Sequence, residues 1–173
     1  MLYKPLGVVS ATEDRNEKTV LDLLPPEYRR MGLSPVGRLD KDTSGLLLFT
    51  DDGDFAHRVI SPKSGIWKTY EAQVEGVLSS SDITCFAEGV CLKDGTRCRP
   101  AKLQLLGPDR CLVTVQEGKY HQVRRMLAAV GKPVRTLRRI SVGGLRLDNE
   151  SVPGTWRPLL EDEVSLVLCS SDG

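Results

Sequence analysis

The chain has 173 residues, 40% of them apolar and 27% charged, with a formal net charge of +1 at pH 7. This length and composition are typical of a soluble globular protein with one domain, or one domain with a small appendage. The sequence has no run of about 18 apolar residues, so we expect no membrane span. The five Cys form no C-x-x-C pair and the two His lack metal-ligand spacing, so we expect no metal site. An odd Cys count and the lack of a secretion signal favour the cytoplasm.

The first half of the chain is predicted to form short strands separated by turns. The strands are expected at Met1–Tyr3, Val8–Ala11, Leu46–Phe49 and Trp67–Val74. A short helix over Thr19–Leu24 should end at Pro25, because proline disfavours helical geometry in the residue before it. Asp54 can cap a second helix that runs to Ile60. Alternation in the fourth strand predicts one face with Lys68, Tyr70, Ala72 and Val74.

The second half adds more strands and three helices. The strands are expected at Val90–Leu92, Arg97–Arg99, Ala101–Leu106, Cys111–Gln116, Val134–Val142 and Leu145–Leu147. Ser81 is expected to cap a helix to Glu88, and further helices are expected at His121–Val130 and Glu161–Leu168. Trp156 is expected to close the core. Many strands, short turns and few helices predict an α+β fold with a largely antiparallel or mixed sheet.

The stretch Pro35–Gly53 joins a polar loop to an apolar run and is the main candidate for a functional site. Its sequence is PVGRLDKDTSGLLLFTDDG, so Asp40 lies on a loop that leads into a predicted strand. The spacing from Asp40 to Asp51 also matches a calcium-binding loop, but such a loop requires a helix on each side. An Asp-x-Asp phosphatase would need a buried strand directly before Asp40. A solvated acidic turn is the simplest alternative.

A block of positive charge lies in the second half of the chain. Lys119–Arg146 contains eight Lys and Arg and no Asp or Glu, although the whole chain is nearly neutral. A surface of this kind attracts a phosphate backbone. A solvated face without a partner is the alternative interpretation.

Three segments, in this order, resemble the signature segments of pseudouridine synthases of the RsuA type, which act on ribosomal RNA. They are GRLDKDTSGLLLFTDDG at Gly37–Gly53, KTYEAQVEG at Lys68–Gly76 and EGKYHQVRRMLAAVG at Glu117–Gly131. YKPLGVVSA near the start and ISVGGLRLDNESVPGTWRPLLEDE near the end extend the resemblance over nearly the whole chain. The resemblance implies a pseudouridine-synthase-like fold and the isomerisation of uridine within RNA.

The resemblance identifies Asp40 as the catalytic aspartate of the family. The reaction cleaves the N1–C1′ glycosidic bond, turns the uracil and rejoins it through C5, so the resemblance implies that no cofactor is needed. An ionised Asp40 can attack C1′ or remove a proton from C2′, and the sequence leaves both roles open. Either role requires a cation close to the carboxylate.

The resemblance also implies which side chains bind the substrate. Arg124 matches the basic residue that pairs with the catalytic aspartate, and Tyr70 matches the tyrosine that packs against the flipped-out base. Arg38 and Lys68 are further candidates for substrate binding. The remaining candidates for RNA contact are Lys119, His121, Arg125, Arg135, Arg138 and Arg139.

Family members usually carry a small N-terminal S4-like RNA-binding module, and this chain begins where the catalytic part begins. We therefore expect residues 1–173 to form a single catalytic domain without that module, acting as a monomer on ribosomal RNA or a ribosomal assembly intermediate. The sequence YHQVRRM, with His before Gln, more closely resembles members that act on small-subunit ribosomal RNA than those that act on large-subunit RNA. The alternatives are a non-catalytic RNA-binding module for ribosome assembly and a Mg²⁺-dependent aspartyl-phosphate phosphatase.

Overall fold

Short strands dominate the part of the chain that the computed structural model describes, residues 1–169, so the last four residues of the expected domain lie outside it. The strands are β1 (Leu2–Lys4), β2 (Ser34–Pro35), β3 (Ser44–Leu47), β4 (Phe49–Thr50), β5 (Lys68–Val74), β6 (Lys102–Leu105), β7 (Arg110–Val115), β8 (Val134–Val142) and β9 (Leu145–Arg146). The α-helices are α1 (Pro26–Arg30), α2 (Gly53–Ile60), α3 (Ser80–Glu88), α4 (Gln122–Ala129) and α5 (Glu161–Leu168). Short 3₁₀ helices cover Leu21–Leu23 and Pro62–Ser64.

A mixed sheet organises the fold and confirms the predicted α+β class. Its strand order is β1-β3-β8-β5-β7-β6, with β9 paired to β8, while β2 and β4 form a separate ribbon. Strands β3 and β8 run parallel, and the other neighbours are antiparallel. Because β5 lies between β7 and β8, neighbours on both sides fix its register.

The periodicities of β5 and α4 explain how the core forms. On β5, Ala72 and Val74 are fully buried on the predicted inner face. On α4, Met126 and Leu127 are fully buried, because the apolar residues recur on one side of the helix. These residues belong to one hydrophobic cluster, so the sheet and α4 together hold the site described below.

Gly45 allows β3 to lie directly against β8. Its φ is +114°, a region that favours glycine, and a Cβ atom would lie 2.2 Å from the carbonyl oxygen of Arg139. A larger residue would therefore force the two strands apart. This close approach fixes the position of the loop that precedes β3.

The first half differs from the prediction in three places. Val8–Ala11 is not a strand: only Val9 forms a bridge, to Thr19. The expected helix at Thr19–Leu24 shrinks to one 3₁₀ turn, and α1 begins at Pro26, because proline fits the first turn of a helix, where its missing N–H is not needed. The apolar run Leu46–Phe49 is divided between β3 and β4, which pair with different partners.

Several helix caps and strands also differ from the prediction. Asp52, not Asp54, caps α2, because its Oδ1 accepts hydrogen bonds from two backbone N–H groups of the first turn. Ser79, not Ser81, caps α3. The expected strands near Val90–Leu92 and Arg97–Arg99 form only an isolated bridge.

The C-terminal part agrees with the prediction. β8 and α5 have the predicted bounds. Trp156 is half-buried, packs against the cluster that contains Leu2 and Leu47, and meets the edge of the Tyr28 ring with the centroids 4.8 Å apart. Trp156 thus closes the N-terminal side of the core.

Candidate active site

A cavity of about 240 Å³ opens between the loop before β3 and the start of α4. Arg38 and Asp40 line it from the loop, Tyr70 from β5, and Lys119 and His121 from the segment that leads into α4. Residues that are more than eighty positions apart in the sequence therefore meet in one place. Five of the predicted site residues share this cavity.

Lys4 holds the loop that carries Asp40. Its side chain is fully buried, and its Nζ donates hydrogen bonds to the backbone carbonyls of Pro5 (3.0 Å), Asp40 (3.0 Å) and Thr43 (2.9 Å). Burial lowers the pKa of Lys4 to about 8, while the carboxylates of Asp40 and Asp42 oppose that change. Lys4 therefore stays mainly charged at neutral pH and supplies a cation next to Asp40.

The N-terminal segment adds two further anchors to the same loop. The Ser10 hydroxyl accepts a hydrogen bond from the N–H of Leu39 (3.0 Å) and donates one to its carbonyl (2.7 Å). The N–H of Gly7 donates to the carbonyl of Lys41 (2.8 Å). A loop fixed at successive carbonyls holds its carboxylate in one place, which limits reorganisation during a reaction.

His121 faces the Asp40 carboxylate across the cavity. Its Nε2 lies 3.4 Å from Oδ1 of Asp40, and its ring stacks on Tyr120 with the centroids 3.9 Å apart. His121 has φ +48° and is, among residues 1–169, the only non-glycine residue with positive φ. A strained backbone of this kind is often found at functional sites. Tyr120 is 76% exposed and offers a flat ring beside the cavity.

Arg124 does not form the expected pair with Asp40. Its Nη2 instead lies 3.0 Å from the Asp42 carboxylate and donates a hydrogen bond to the Asp42 carbonyl (2.8 Å). Arg124 of α4 therefore contacts the part of the loop that follows Asp40, at Asp42. Arg124 thus anchors the loop, and the groups that the structure places beside Asp40 are the Lys4 ammonium and the His121 imidazole.

The basic block is largely paired with acids from other parts of the chain. Within residues 1–169, five of its eight cations have carboxylate partners. These pairs are Lys119–Glu117, Arg124–Asp42, Arg125–Asp94, Arg135–Glu75 and Arg138–Glu71. Arg139 is only 3% exposed, and its Nε donates to the carbonyl of Leu46 (2.8 Å). The expected open field of positive charge is therefore smaller than the sequence predicts, because the strands bring acids beside it.

Lys68 is a second buried lysine close to the site. It is 8% exposed and lines a cleft of about 750 Å³ together with Tyr70 and Arg139. Burial and, to a smaller extent, the nearby Arg139 lower the pKa of Lys68 to about 8. Lys68 thus carries a charge that costs folding free energy.

Replacing Lys68 with Met should stabilise the protein in a pH-dependent way. Below pH 8 the Lys68 ammonium is charged in both the folded and the unfolded state of the wild type. The free energy of unfolding of the variant should therefore exceed that of the wild type by about 1–3 kcal/mol. Between about pH 8 and the ordinary value of 10.5, folded Lys68 loses its proton first, and the gain should shrink to zero. Urea unfolding of both proteins across this range measures the difference. An equal increase in the free energy of unfolding at pH 7 and pH 11 would contradict this explanation. Lys93→Met, which removes a lysine at an exposed turn, is the control.

The alternatives raised by the Asp40–Asp51 spacing are not supported by the geometry. The segment forms β3 and β4, not a loop between two helices, so the calcium interpretation is wrong. Strand β2 has only two residues, so no buried strand leads directly into Asp40, as a phosphatase would need. Residues 1–169 contain no group of three or more His, Cys, Asp and Glu suited to a metal ion. Within the same range, no helix is long and apolar enough to cross a membrane.

Reasoning from the sequence missed three residues of this site. Lys4 and Ser10 anchor the Asp40 loop, and Tyr120 stacks on His121. Lys4 lies in a turn sequence and Ser10 in a predicted strand, so neither position indicates a role. A clue for Tyr120 was its place between Lys119 and His121, which were both predicted to contact RNA.

Comparison with known proteins agrees with this geometry. A family model described as RNA pseudouridylate synthase matches residues 1–129. The "Uncharacterized RNA pseudouridine synthase YtzG" of Bacillus subtilis (strain 168) is 46% identical over 96% of this chain and 72% of its own length. The "Ribosomal small subunit pseudouridine synthase A" of Escherichia coli (strain K12) is 44% identical over 97% of this chain and 73% of its own.

A solved structure supports the same assignment. A crystal structure of a pseudouridylate synthase superposes with a TM-score of 0.90 and 36% identity, over 96% of this chain and 71% of that one. Sequence and fold thus agree over nearly all of the chain. The chain belongs to the RNA pseudouridylate synthase family and is a pseudouridine synthase, an isomerase that acts on RNA.

Proposed function

We propose that the protein converts a uridine of small-subunit ribosomal RNA to pseudouridine, with Asp40 as the catalytic carboxylate. The observation that carries this proposal is the anchored Asp40 in a cavity that Tyr70 and His121 also line. Relatives at 44–45% identity are named as small-subunit enzymes, which favours that substrate over large-subunit RNA.

The Asp40 carboxylate is proposed to act on the sugar of a flipped-out uridine. It attacks C1′ as a nucleophile or removes the C2′ proton as a base, and in both cases the N1–C1′ bond breaks. After the uracil turns, C5 bonds to C1′. In the first route the Asp40–C1′ bond breaks at this step, and in the second the proton returns to C2′. The C5 proton is then lost and N1 gains a proton. Both routes require an ionised carboxylate, and the Lys4 ammonium supplies a positive charge beside the loop that carries Asp40.

The other site residues are proposed to bind RNA. Tyr70 packs against the extruded base, since stacking offsets part of the cost of unpairing. Arg38 and Lys119, on the cavity wall, contact the backbone of the RNA. Arg124 acts through the loop, by holding Asp42. Further contacts to phosphates are assigned to Arg125, Arg135 and Arg138, whose acidic partners are exposed or half-buried and exchange for phosphate at modest cost.

We also propose that residues 1–173 act as a single catalytic domain, monomeric and in the cytoplasm. Five Cys without a disulfide pattern suit a reduced compartment. Size-exclusion chromatography with light scattering, at micromolar concentration, tests the oligomeric state. The expected molar mass is that of one 19.1 kDa chain.

Ribosomal RNA transcripts test the substrate. Purified protein is incubated with small-subunit RNA, large-subunit RNA and small-subunit assembly intermediates, and pseudouridine is mapped by carbodiimide labelling and primer extension. We expect one modified uridine, in small-subunit RNA only. Modification confined to large-subunit RNA would overturn the choice of substrate, and the absence of any modified uridine would overturn the function.

A further inference from the structure

A second compartment opens directly from the Asp40 cavity. It is the cleft of about 750 Å³ that contains Lys68, and we call it the Lys68 cleft. The cleft and the cavity share Arg38, Tyr70, Glu117 and Lys119 as wall residues. An RNA strand that places one nucleotide in the cavity therefore has a neighbouring space for the next part of its backbone.

The Lys68 cleft contains two buried cations without an acidic partner. Lys68 is 8% and Arg139 is 3% exposed. Among residues 1–169, the Lys68 ammonium has no hydrogen bond or ion pair, and the Arg139 guanidinium makes one hydrogen bond, to the carbonyl of Leu46. The two charges are close enough for Arg139 to lower the pKa of Lys68. Two buried like charges disfavour folding unless an anion binds between them.

The acid that lines the cleft is already occupied. The carboxylate of Glu117 binds the Lys119 ammonium, accepts a hydrogen bond from the Gln122 amide (3.0 Å) and accepts another from the backbone N–H of Arg99 (2.9 Å). It therefore does not neutralise Lys68 or Arg139. Arg38 adds a third cation on the wall, exposed and without an acidic partner in the described chain.

We propose that Lys68 and Arg139 bind a backbone phosphate of the RNA, adjacent to the nucleotide whose sugar meets Asp40. This inference rests on the proposed function and assigns the anion that completes the site. A phosphate carries a full negative charge with several acceptor oxygens, which matches an ammonium beside a guanidinium. A uracil carbonyl is neutral and would leave both charges uncompensated. A phosphate fixed here would set the register of the target nucleotide.

Inorganic phosphate tests the anion site without RNA. The side chains of ¹³C-labelled lysine are titrated by NMR in the wild-type protein, with and without phosphate at constant ionic strength. We expect phosphate to raise the pKa of Lys68 and to leave that of Lys93, at an exposed turn, unchanged. Equal responses of Lys68 and Lys93 would overturn the anion site.

RNA with one uncharged linkage tests that the anion is a backbone phosphate. A methylphosphonate replaces the phosphate on the 5′ or the 3′ side of the target uridine, and affinity is measured for wild type, Lys68→Met and Lys93→Met. At one of the two positions, we expect the change to weaken wild-type and Lys93→Met binding about tenfold and Lys68→Met binding hardly at all. Lys68→Arg keeps the positive charge, so its affinity for RNA should again fall when the methylphosphonate replaces the phosphate.

Equal sensitivity of wild type and Lys68→Met at both positions would overturn the phosphate assignment. Circular dichroism checks that each variant is folded, and the removed buried charge favours a folded Lys68→Met protein. The two proposals fail separately. A wild type that forms pseudouridine but gives no Lys68-dependent pattern contradicts only the phosphate site, whereas a wild type that forms no pseudouridine contradicts the proposed function, and the NMR titration still decides the anion site.

Discussion

Replacing Asp40 with Asn is expected to reduce pseudouridine formation by at least about 10³-fold while preserving the fold and RNA binding. The amide has nearly the same shape as the carboxylate but is neither a nucleophile nor a base at neutral pH. The loop should keep its conformation, because Lys4 binds the backbone carbonyl of Asp40 and not its side chain. The loss should therefore fall on kcat and not on the affinity for RNA.

Single-turnover assays with excess protein measure this effect without a contribution from product release. Asp51→Asn is the matched control, since it makes the same chemical change in the same stretch at an exposed turn residue. We expect that variant to react at the wild-type rate. A rate for Asp40→Asn within tenfold of wild type would show that another group performs the chemistry.

Replacing Lys4 with Met is expected to lower both stability and activity. Three backbone carbonyls, one of them that of the buried Thr43, would lose their charged donor, and the gain from removing a buried charge offsets only part of that loss. We expect the free energy of unfolding to fall by about 2–4 kcal/mol. Because two of the carbonyls belong to Asp40 and Thr43, the loop should also move, and kcat should fall in the fraction that remains folded.

Urea unfolding followed by assays at a temperature where the variant is folded separates the two effects of Lys4. Lys18→Met, on an exposed polar loop, is the control and should behave like wild type. A Lys4→Met protein with wild-type stability and wild-type kcat would contradict the anchoring role. Loss of stability with an unchanged kcat would limit Lys4 to a folding role.

Lys4 and Lys68 contrast two uses of a buried lysine. Lys4 makes three hydrogen bonds to carbonyls, so removing it should destabilise the protein. The Lys68 ammonium is buried and has no hydrogen-bond or ion-pair partner in the described chain, so removing it should stabilise the protein and weaken RNA binding. An opposite sign of the two stability changes follows from hydrogen bonding alone, since burial lowers the pKa of both to about 8.

The sequence predicted those elements whose formation depends on local pattern. β8 and α5 have the predicted bounds. β8 lies directly between Pro133 and Gly143, and α5 begins with the acids Glu161, Asp162 and Glu163, which favour the first turn of a helix. The caps of α2 and α3 were each displaced by two residues, since several Asp or Ser compete there and local sequence does not decide between them. The strand predicted at Val8–Ala11 failed because Ser10 bonds to Leu39 instead of a neighbouring strand.

At the site, too, the residues were predicted from the sequence, but contacts between distant residues were not. Asp40, Tyr70 and His121 were predicted, and they line one cavity. The partner of Arg124 and the anchoring by Lys4 depend on contacts between residues that are far apart in the sequence, which composition and spacing do not reveal. The pairing of the basic block with distant acids has the same origin, because strand register decides which charges meet.

Pseudouridine mapping of cellular small-subunit ribosomal RNA tests the central claim most directly. A strain that lacks this protein is complemented with wild type, with Asp40→Asn or with an empty vector, and every uridine is mapped. The account predicts that one pseudouridine is absent in the deletion strain, returns with wild type and stays absent with Asp40→Asn. A complete set of pseudouridines in the deletion strain, or full recovery with Asp40→Asn, would contradict it.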